Sequence, residues 1–524
     1  MERYRKSNNS HILVCACLFL IVVTVVVVIL VNVFNKNIVI NPGVLTLDDS
    51  LTESEKSFLT ATFSDKTLKD DVIISAKTEY EYPEPSSLPQ FNQILYDTLI
   101  PVSNFYNVDR NLTHADAAQL PTIEEPVIDS NDNNFYLISL SKIDGRVRAA
   151  TIDNNYYFDN YLNRSNESEN GSPKPERKYT GALFRIFTID SNSPAEAYSI
   201  ISSALPSIPT DATILSINQT GVTALTRQML NKLNVVKDGA FFAEKVGPYL
   251  SSADITHTSN EVSFADNCSN STDMAFCADW RMFDALTGIG VDVIELTGNH
   301  NNDWGASNDI ATIDFYHEKG IKTFGGGKTE EEAATPLEIN DKENHITWIG
   351  VNNSTSNKAN GQGASGDHPG ANIYNEDLTR TKIQEAKNRG DYVIVDVQFF
   401  ECWSYPAEGA ELPSCDLPIS GQEVFFRNII DMGADMVVGT QAHQPQTYEL
   451  YHNKPIYYGL GNLFFDQTLW PGTRRSLILT HFFYGDKLLQ TRILPTIYDR
   501  NFQPEIMSES DARAYLDRLS AYYK

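Results

Sequence analysis

The chain has 524 residues and a formal net charge of −27, from 68 acidic and 41 basic side chains. Such a surface repels nucleic acid and attracts cations, so binding of polyanions through bulk charge is excluded and no nucleic-acid partner is expected. A hydrophobic content of 41% is ordinary for a globular protein, and the length suits two or three domains with sizeable cores.

Residues 1–11 carry Arg3, Arg5 and Lys6 and are followed by the uncharged stretch Ile12–Phe34, rich in Val, Leu and Ile. At about 1.5 Å per residue this stretch crosses a hydrocarbon core of about 30 Å. It is longer than a signal-peptide core, and no small-residue cleavage pattern follows it. Lys36 stands alone beyond it. The excess of positive charge before the stretch predicts a cytoplasmic tail (1–11), a single transmembrane anchor (12–34) in the cell membrane and an extracytoplasmic remainder.

Cys15 and Cys17 fall in the predicted anchor, and the other cysteines form two close pairs, Cys268 with Cys277 and Cys402 with Cys415. In an exported region such pairs read as two disulfides, and neither pair has the C-x-x-C spacing of a zinc site. Asn111, Asn166 and Asn218 head N-x-[ST] sequons, which matter only in a glycosylating host.

Residues 40–206 predict a small N-terminal α/β domain, with short strands at Tyr136–Ser139, Val147–Ile152 and Ala182–Ile189 and a loop-like tract from Asn160 to Lys178. From Asp211 the pattern sharpens. Apolar runs at Ala212–Ile217, Val291–Leu296, Ile346–Val351, Tyr392–Val397, Met436–Val438 and Pro455–Tyr458 read as strands. A helix is expected over Ala306–Lys319, ending at Gly320, and S/T-x-x-E capping boxes at Thr329 and Ser420 predict two more helix starts. Alternation of this kind predicts an α/β domain with a mainly parallel sheet over 211–500, followed by a C-terminal helix in 501–524.

Polar residues crowd the ends of these strands. Val291–Leu296 runs into Asn299, His300 and Asp303; Tyr392–Val397 into Gln398 and Glu401; Met436–Val438 into Gln441 and His443. The carboxyl edge of an open α/β sheet is where ligands bind, and Asn, His and carboxylates are metal-ligand types. Gly325-Gly-Gly-Lys328 lacks P-loop spacing, and no nucleotide or redox cofactor is indicated.

The tract "VDVIELTGNHNNDWG" resembles the A-N-N-H-x-x-D-x-G motif of the poly-gamma-glutamate capsule-synthesis (CapA-type) family. "GADMVVGTQAHQPQTYELYHNKPIYYGLGNLFFD" is similar to its closing motif, and "ADITHTSNEVSF" to its A-D-x-x-x-x-N-L-E segment. The resemblance implies a calcineurin-like metallophosphoesterase fold, a four-layer α/β/β/α sandwich. Its implied role is in making, assembling or exporting an envelope polymer, with the polymer or its synthesis machinery as partner. Carried over residue by residue, it implies Glu261, Asn299 and His443 as metal ligands and His300 and Asp303 as catalytic groups.

The departures are specific. The family's first Gly-Asp is Gly221-Val222 here, the His of H-W-G-x-E is Gln398, and the first His of G-x-H-x-H is Gln441. Val is no ligand and Gln offers only a neutral carbonyl. His257 and Glu401 lie nearby in the motifs as replacements. The expectation is one weakly held divalent ion at most. Two functions stand open: a metal-dependent hydrolase, or a non-catalytic binding or scaffold module on a degenerate site.

Overall fold

The computed structural model describes residues 43–83, 93–107, 111–162, 178–205, 213–269, 274–354, 360–402 and 415–524. The predicted anchor and the tail before it lie outside the described residues, as does Asn166. Among the described residues no helix is long and apolar enough to cross a membrane. The fold is mixed α/β and divides into two compact units.

The first unit takes its described residues from 43–77, 93–94 and 187–205. Here β1 (Leu45–Leu47) pairs in parallel with β2 (Val72–Glu79), Leu45 opposite Val72. Helix α1 (Glu53–Phe63) starts with a reciprocal cap, in which Thr52 Oγ1 accepts from the Glu55 N–H and Glu55 Oε2 accepts from the Thr52 N–H at 2.7 Å. It buries Leu59 and Phe63 and lies against α2 (Pro194–Ala204).

The second unit holds all the remaining described residues. In it residues 95–104 of β3 (Gln93–Asn104) pair antiparallel with β4 (Tyr136–Ser139) and β5 (Val147–Ala149). The core of Val102, Ile138, Phe158 and Tyr161 also takes in Phe482 and Leu489. Gln490 Oε1 accepts the Ala149 N–H at 3.0 Å, and Arg492 pairs with Asp159 at 2.5 Å. Residues 95–186 thus group with the C-terminal part of the chain in this unit. Apolar contacts distant in sequence decide the grouping.

The rest of this unit is built on two sheets. The first contains β6 (Leu215–Thr223), β7 (Ile255–Asn260), β8 (Val293–Glu295) and β9 (Lys322–Phe324), all parallel in the order β9-β8-β7-β6. The second contains β10 (Leu337–Asp341), β11 (Asn344–Asn352), β12 (Tyr392–Cys402), β13 (Met436–Ala442), β14 (Tyr448–Tyr451) and β15 (Lys454–Tyr457), in the order β10-β11-β12-β13-β15-β14. The first sheet is completed by β16 (Asn462–Phe464), parallel to β6, and by the antiparallel run β17 (Arg475–Tyr484), β18 (Lys487–Tyr498) and β19 (Pro504–Ile506), with β17 on β6.

Side-chain alternation explains the layering. Along β12, Val393, Val395 and Val397 pack with Ile383 of a helix at Glu376–Arg389 and Phe426 of another at Gln422–Asp431. Ile394 faces the other way, into a core that holds Leu215 and Ile217 of the first sheet. Period 2 therefore puts Asp396 and Gln398 on the inter-sheet side as well. A third core packs the helices Gln228–Val236, Phe283–Gly288 and Ala306–Glu318 on the outer face of the first sheet. The layers run helices, sheet, sheet, helices, and the parallel strands are buried on both faces.

Several local expectations resolve. The helix Ala306–Glu318 ends before Gly320, at φ 77°. Thr329 caps its helix, its Oγ1 accepting the Glu332 N–H at 3.1 Å. Ser420 does not cap, because the helix begins after Gly421 at φ 83° without a side-chain cap. Cys268–Cys277 and Cys402–Cys415 are bonded, each with Cα atoms 5.6 Å apart. Asn218 is fully buried in β6, where its amide donates to the Leu250 carbonyl at 2.8 Å, so that sequon presents no acceptor.

Candidate functional site

The parallel strands of both sheets end at one edge, and their last residues and following loops form a polar centre. From the first sheet come Val222, Glu261 after β7, Asn299, His300 and Asp303 after β8, and Asn462; from the second come Gln398, Glu401, Gln441 and His443. Gly298 is required where the β8 loop crosses β7, because a Cβ there would stand 2.4 Å from Glu261 Cα.

The structure brings together the residues expected from the sequence. His300 Nδ1 donates to Asp303 Oδ2 at 2.6 Å. The same Oδ2 accepts the Phe276 N–H at 2.8 Å, and Oδ1 accepts Gln362 Nε2 at 2.8 Å. The Phe276 ring lies 4.2 Å from the imidazole, and Arg227, paired with Asp466, stacks on Phe276 and Phe465. Burial pulls the His300 pKa down, but the Asp303 hydrogen bond and the charges of Glu261, Asp303 and Glu401 carry it above its ordinary value.

Glu261 is 2% exposed, and its Oε1 has no hydrogen-bond partner among the described residues. Burial pushes its pKa up to about 7; Glu401, Glu295 and Asp303 push the same way, against His300. His443 Nδ1 donates to Asn462 Oδ1 at 2.9 Å. Burial takes the His443 pKa down to about 4, the Asn462 bond opposing and His300 and Arg227 reinforcing, so its imidazole is neutral.

The substituted positions are occupied in a different way. Gln398 Nε2 donates to Asn299 Oδ1 at 2.9 Å, which occupies the oxygen expected to bind a metal. Gln441 Nε2 is 3.5 Å from Glu401 Oε1, while its buried Oε1 has no partner among the described residues and its φ is 73°. Left-handed backbone at a non-glycine strand end is strain of the kind found at binding sites. Val222 is 1% exposed and offers no donor atom. Among the described residues, no three His, Cys, Asp or Glu side chains are grouped to hold a metal ion. The donor set does not fit a two-ion centre.

Sequence reasoning missed a second polar layer beneath this centre. Asp396 lies between the sheets and accepts Gln219 Nε2 at 2.9 and 3.0 Å. His257 Nε2 is 3.1 Å from Asp396 Oδ2, off the line of a hydrogen bond, and its ring lies flat on Trp348 at 5.8 Å. His257 is thus committed beneath the centre and does not replace a lost ligand. Glu295 is fully buried, and burial followed by Asp396 raises its pKa. Carboxylates inside the apolar runs, Asp292 and Glu295 in Val291–Leu296 and Asp396 in Tyr392–Val397, were the available signal.

The paired α/β layers carry a polar centre at their shared carboxyl edge, where open α/β sheets bind ligands, and Gln398 and Gln441 place amides in it. Residues 216–467 match the family model described as bacterial capsule synthesis protein PGA_cap. It is 26% identical over 201 residues to the capsule biosynthesis protein CapA of Bacillus anthracis, covering 38% of this chain and 45% of that one. With the PGA biosynthesis protein CapA of Bacillus subtilis it shares 26% over 196 residues, 37% of this chain and 48% of that one. The matched parts thus span about half the length of these relatives. The crystal structure of TT1561 of Thermus thermophilus aligns with 52% of this chain and all of its own at 13% identity and a TM-score of 0.28.

Proposed function

We propose that the chain is a membrane-anchored, extracytoplasmic component in the synthesis, assembly or export of a poly-gamma-glutamate-like envelope polymer, and that its strand-end centre binds without hydrolysing. The domain is a degenerate metallophosphoesterase-like sandwich. One observation carries the non-catalytic reading: the Gln398 amide sits on the Asn299 oxygen while Val222 supplies no donor atom. The capsule role rests on the match over residues 216–467 and on the names of the relatives. The hydrolase reading draws on the retained His300–Asp303 pair and on His443.

Metal analysis of the dialysed protein decides between them. At most one weakly held ion per chain is expected, with negligible turnover of generic phosphodiesters. Val222→Asp, Gln398→His and Gln441→His together should raise the stoichiometry towards two. Two tightly bound ions and brisk phosphodiesterase activity in the unaltered chain would overturn the binding reading.

A further inference from the structure

An open cleft of about 330 Å3 lies at the opposite end of the second sheet. Tyr392, at the start of β12, lines it, whereas Gln398 further along the same strand reaches the polar centre. At about 3.3 Å per residue the two are about 20 Å apart. Part of the cleft, Arg146 and Lys487 included, comes from outside residues 216–467.

The charges lining the cleft do not cancel. Asp144 is held by Arg146, through Nε at 2.9 Å and Nη2 at 2.7 Å. Asp435 takes Lys387 at 2.5 Å, Lys454 at 3.1 Å and the Val393 N–H at 2.9 Å. Asp486 accepts the backbone N–H and ring of His345. Lys487, the first residue of β18 after the turn from β17, is half-buried and has no ion-pair or hydrogen-bond partner among the described residues. Burial lowers its pKa and Arg146 adds to this, against Asp144, so a bound anion would relieve it.

The wall is also rigid. The Gly145 N–H donates to the Leu488 carbonyl at 3.1 Å, and a Cβ on Gly145 would stand 2.8 Å from Leu488 Cδ2. The turn bearing Arg146 is thus pressed on the hairpin bearing Lys487. Four cations stand against three carboxylates here, so one positive charge is left without a counterion. A phosphate dianion would face those carboxylates, while a monoanion would not exceed the surplus.

We propose that this cleft binds a single carboxylate of an acidic polymer, with the Lys487 ammonium as its counterion and the Asp144-oriented Arg146 beside it. The polymer as the source of that carboxylate rests on the reading under Proposed function. The cleft is a second anchoring point, remote from the strand-end centre.

The test uses the full chain, a γ-linked glutamate pentamer, glutarate and inorganic phosphate. Mass spectrometry follows acylation of Lys487 by an amine-reactive reagent, and calorimetry gives pentamer affinity for the unaltered chain and for Lys487→Gln. Pentamer and glutarate should each slow acylation about tenfold, phosphate should not, and Lys487→Gln should weaken pentamer binding about tenfold. Pentamer bound with unchanged acylation and equal affinity in the variant would overturn the cleft and leave the polymer reading standing. Pentamer binding to neither protein would overturn both. Protection by phosphate equal to that by glutarate would overturn the carboxylate assignment.

Discussion

The two halves of the strand-end centre have taken different routes. The half after β7 and β8 keeps ionisable groups, with Asp303 accepting from His300, Phe276 and Gln362 and Glu261 buried beside them. The half from β6, β12 and β13 presents Val222, Gln398 and Gln441, none of which carries charge. Loss of ligand residues did not simply leave vacant donors, because the Gln398 amide took up the Asn299 oxygen. Amides at 398 and 441, with Glu401 the carboxylate between them on β12, suit hydrogen bonding to a ligand better than coordination of an ion.

The charged half should be the more fragile. Asp303→Ala removes the acceptor of three donors and is expected to cost about 3–5 kcal/mol, read from the urea midpoint. A cost below about 1 kcal/mol would mean that the Phe276 loop holds His300 without it.

Glu261 sharpens the comparison through pH. Its folded pKa of about 7 lies above its ordinary value, so the native state binds the proton more tightly than the unfolded chain. The resulting penalty is absent at pH 4, grows as pH rises through the interval and is complete above about pH 7, on the order of 3 kcal/mol. Glu261→Gln should therefore be more stable than the unaltered chain at pH 8 and nearly equal to it at pH 4. Equal stability at both values would place Glu261 in a wetter or better-paired environment.

The smallest effect belongs to the neutral half. Gln398→Leu loses the bond to Asn299 and should cost about 1 kcal/mol, with no dependence on pH between 5 and 8. A larger, pH-dependent loss would show that the amide is coupled to Glu401 and Glu261, and the two halves would then act as one.

Legibility in the sequence followed the range of the interactions. The alternation of Tyr392–Val397 and the motif around His300 were visible because their periods and spacings are local. The hairpin β17–β18 was missed although Gly485-Asp486 marks its turn between two apolar runs. Arg227 could not be placed from sequence, since its partner Asp466 and its stacking rings Phe276 and Phe465 are distant along the chain. The grouping of residues 95–186 with the C-terminal strands likewise depends on distant residues, Phe482 and Leu489. Ser420 misled because a pattern match cannot reveal that Gly421 takes the left-handed turn.

Each disulfide ends one residue from the centre. Cys277 follows Phe276, which covers His300, and Cys402 follows Glu401, which faces Gln441. Both halves are thus pinned by sulfur, each short loop closure contributing about 2–3 kcal/mol. Where thiols stay reduced, neither pin exists. The finished centre is consequently a product of oxidation as well as of folding.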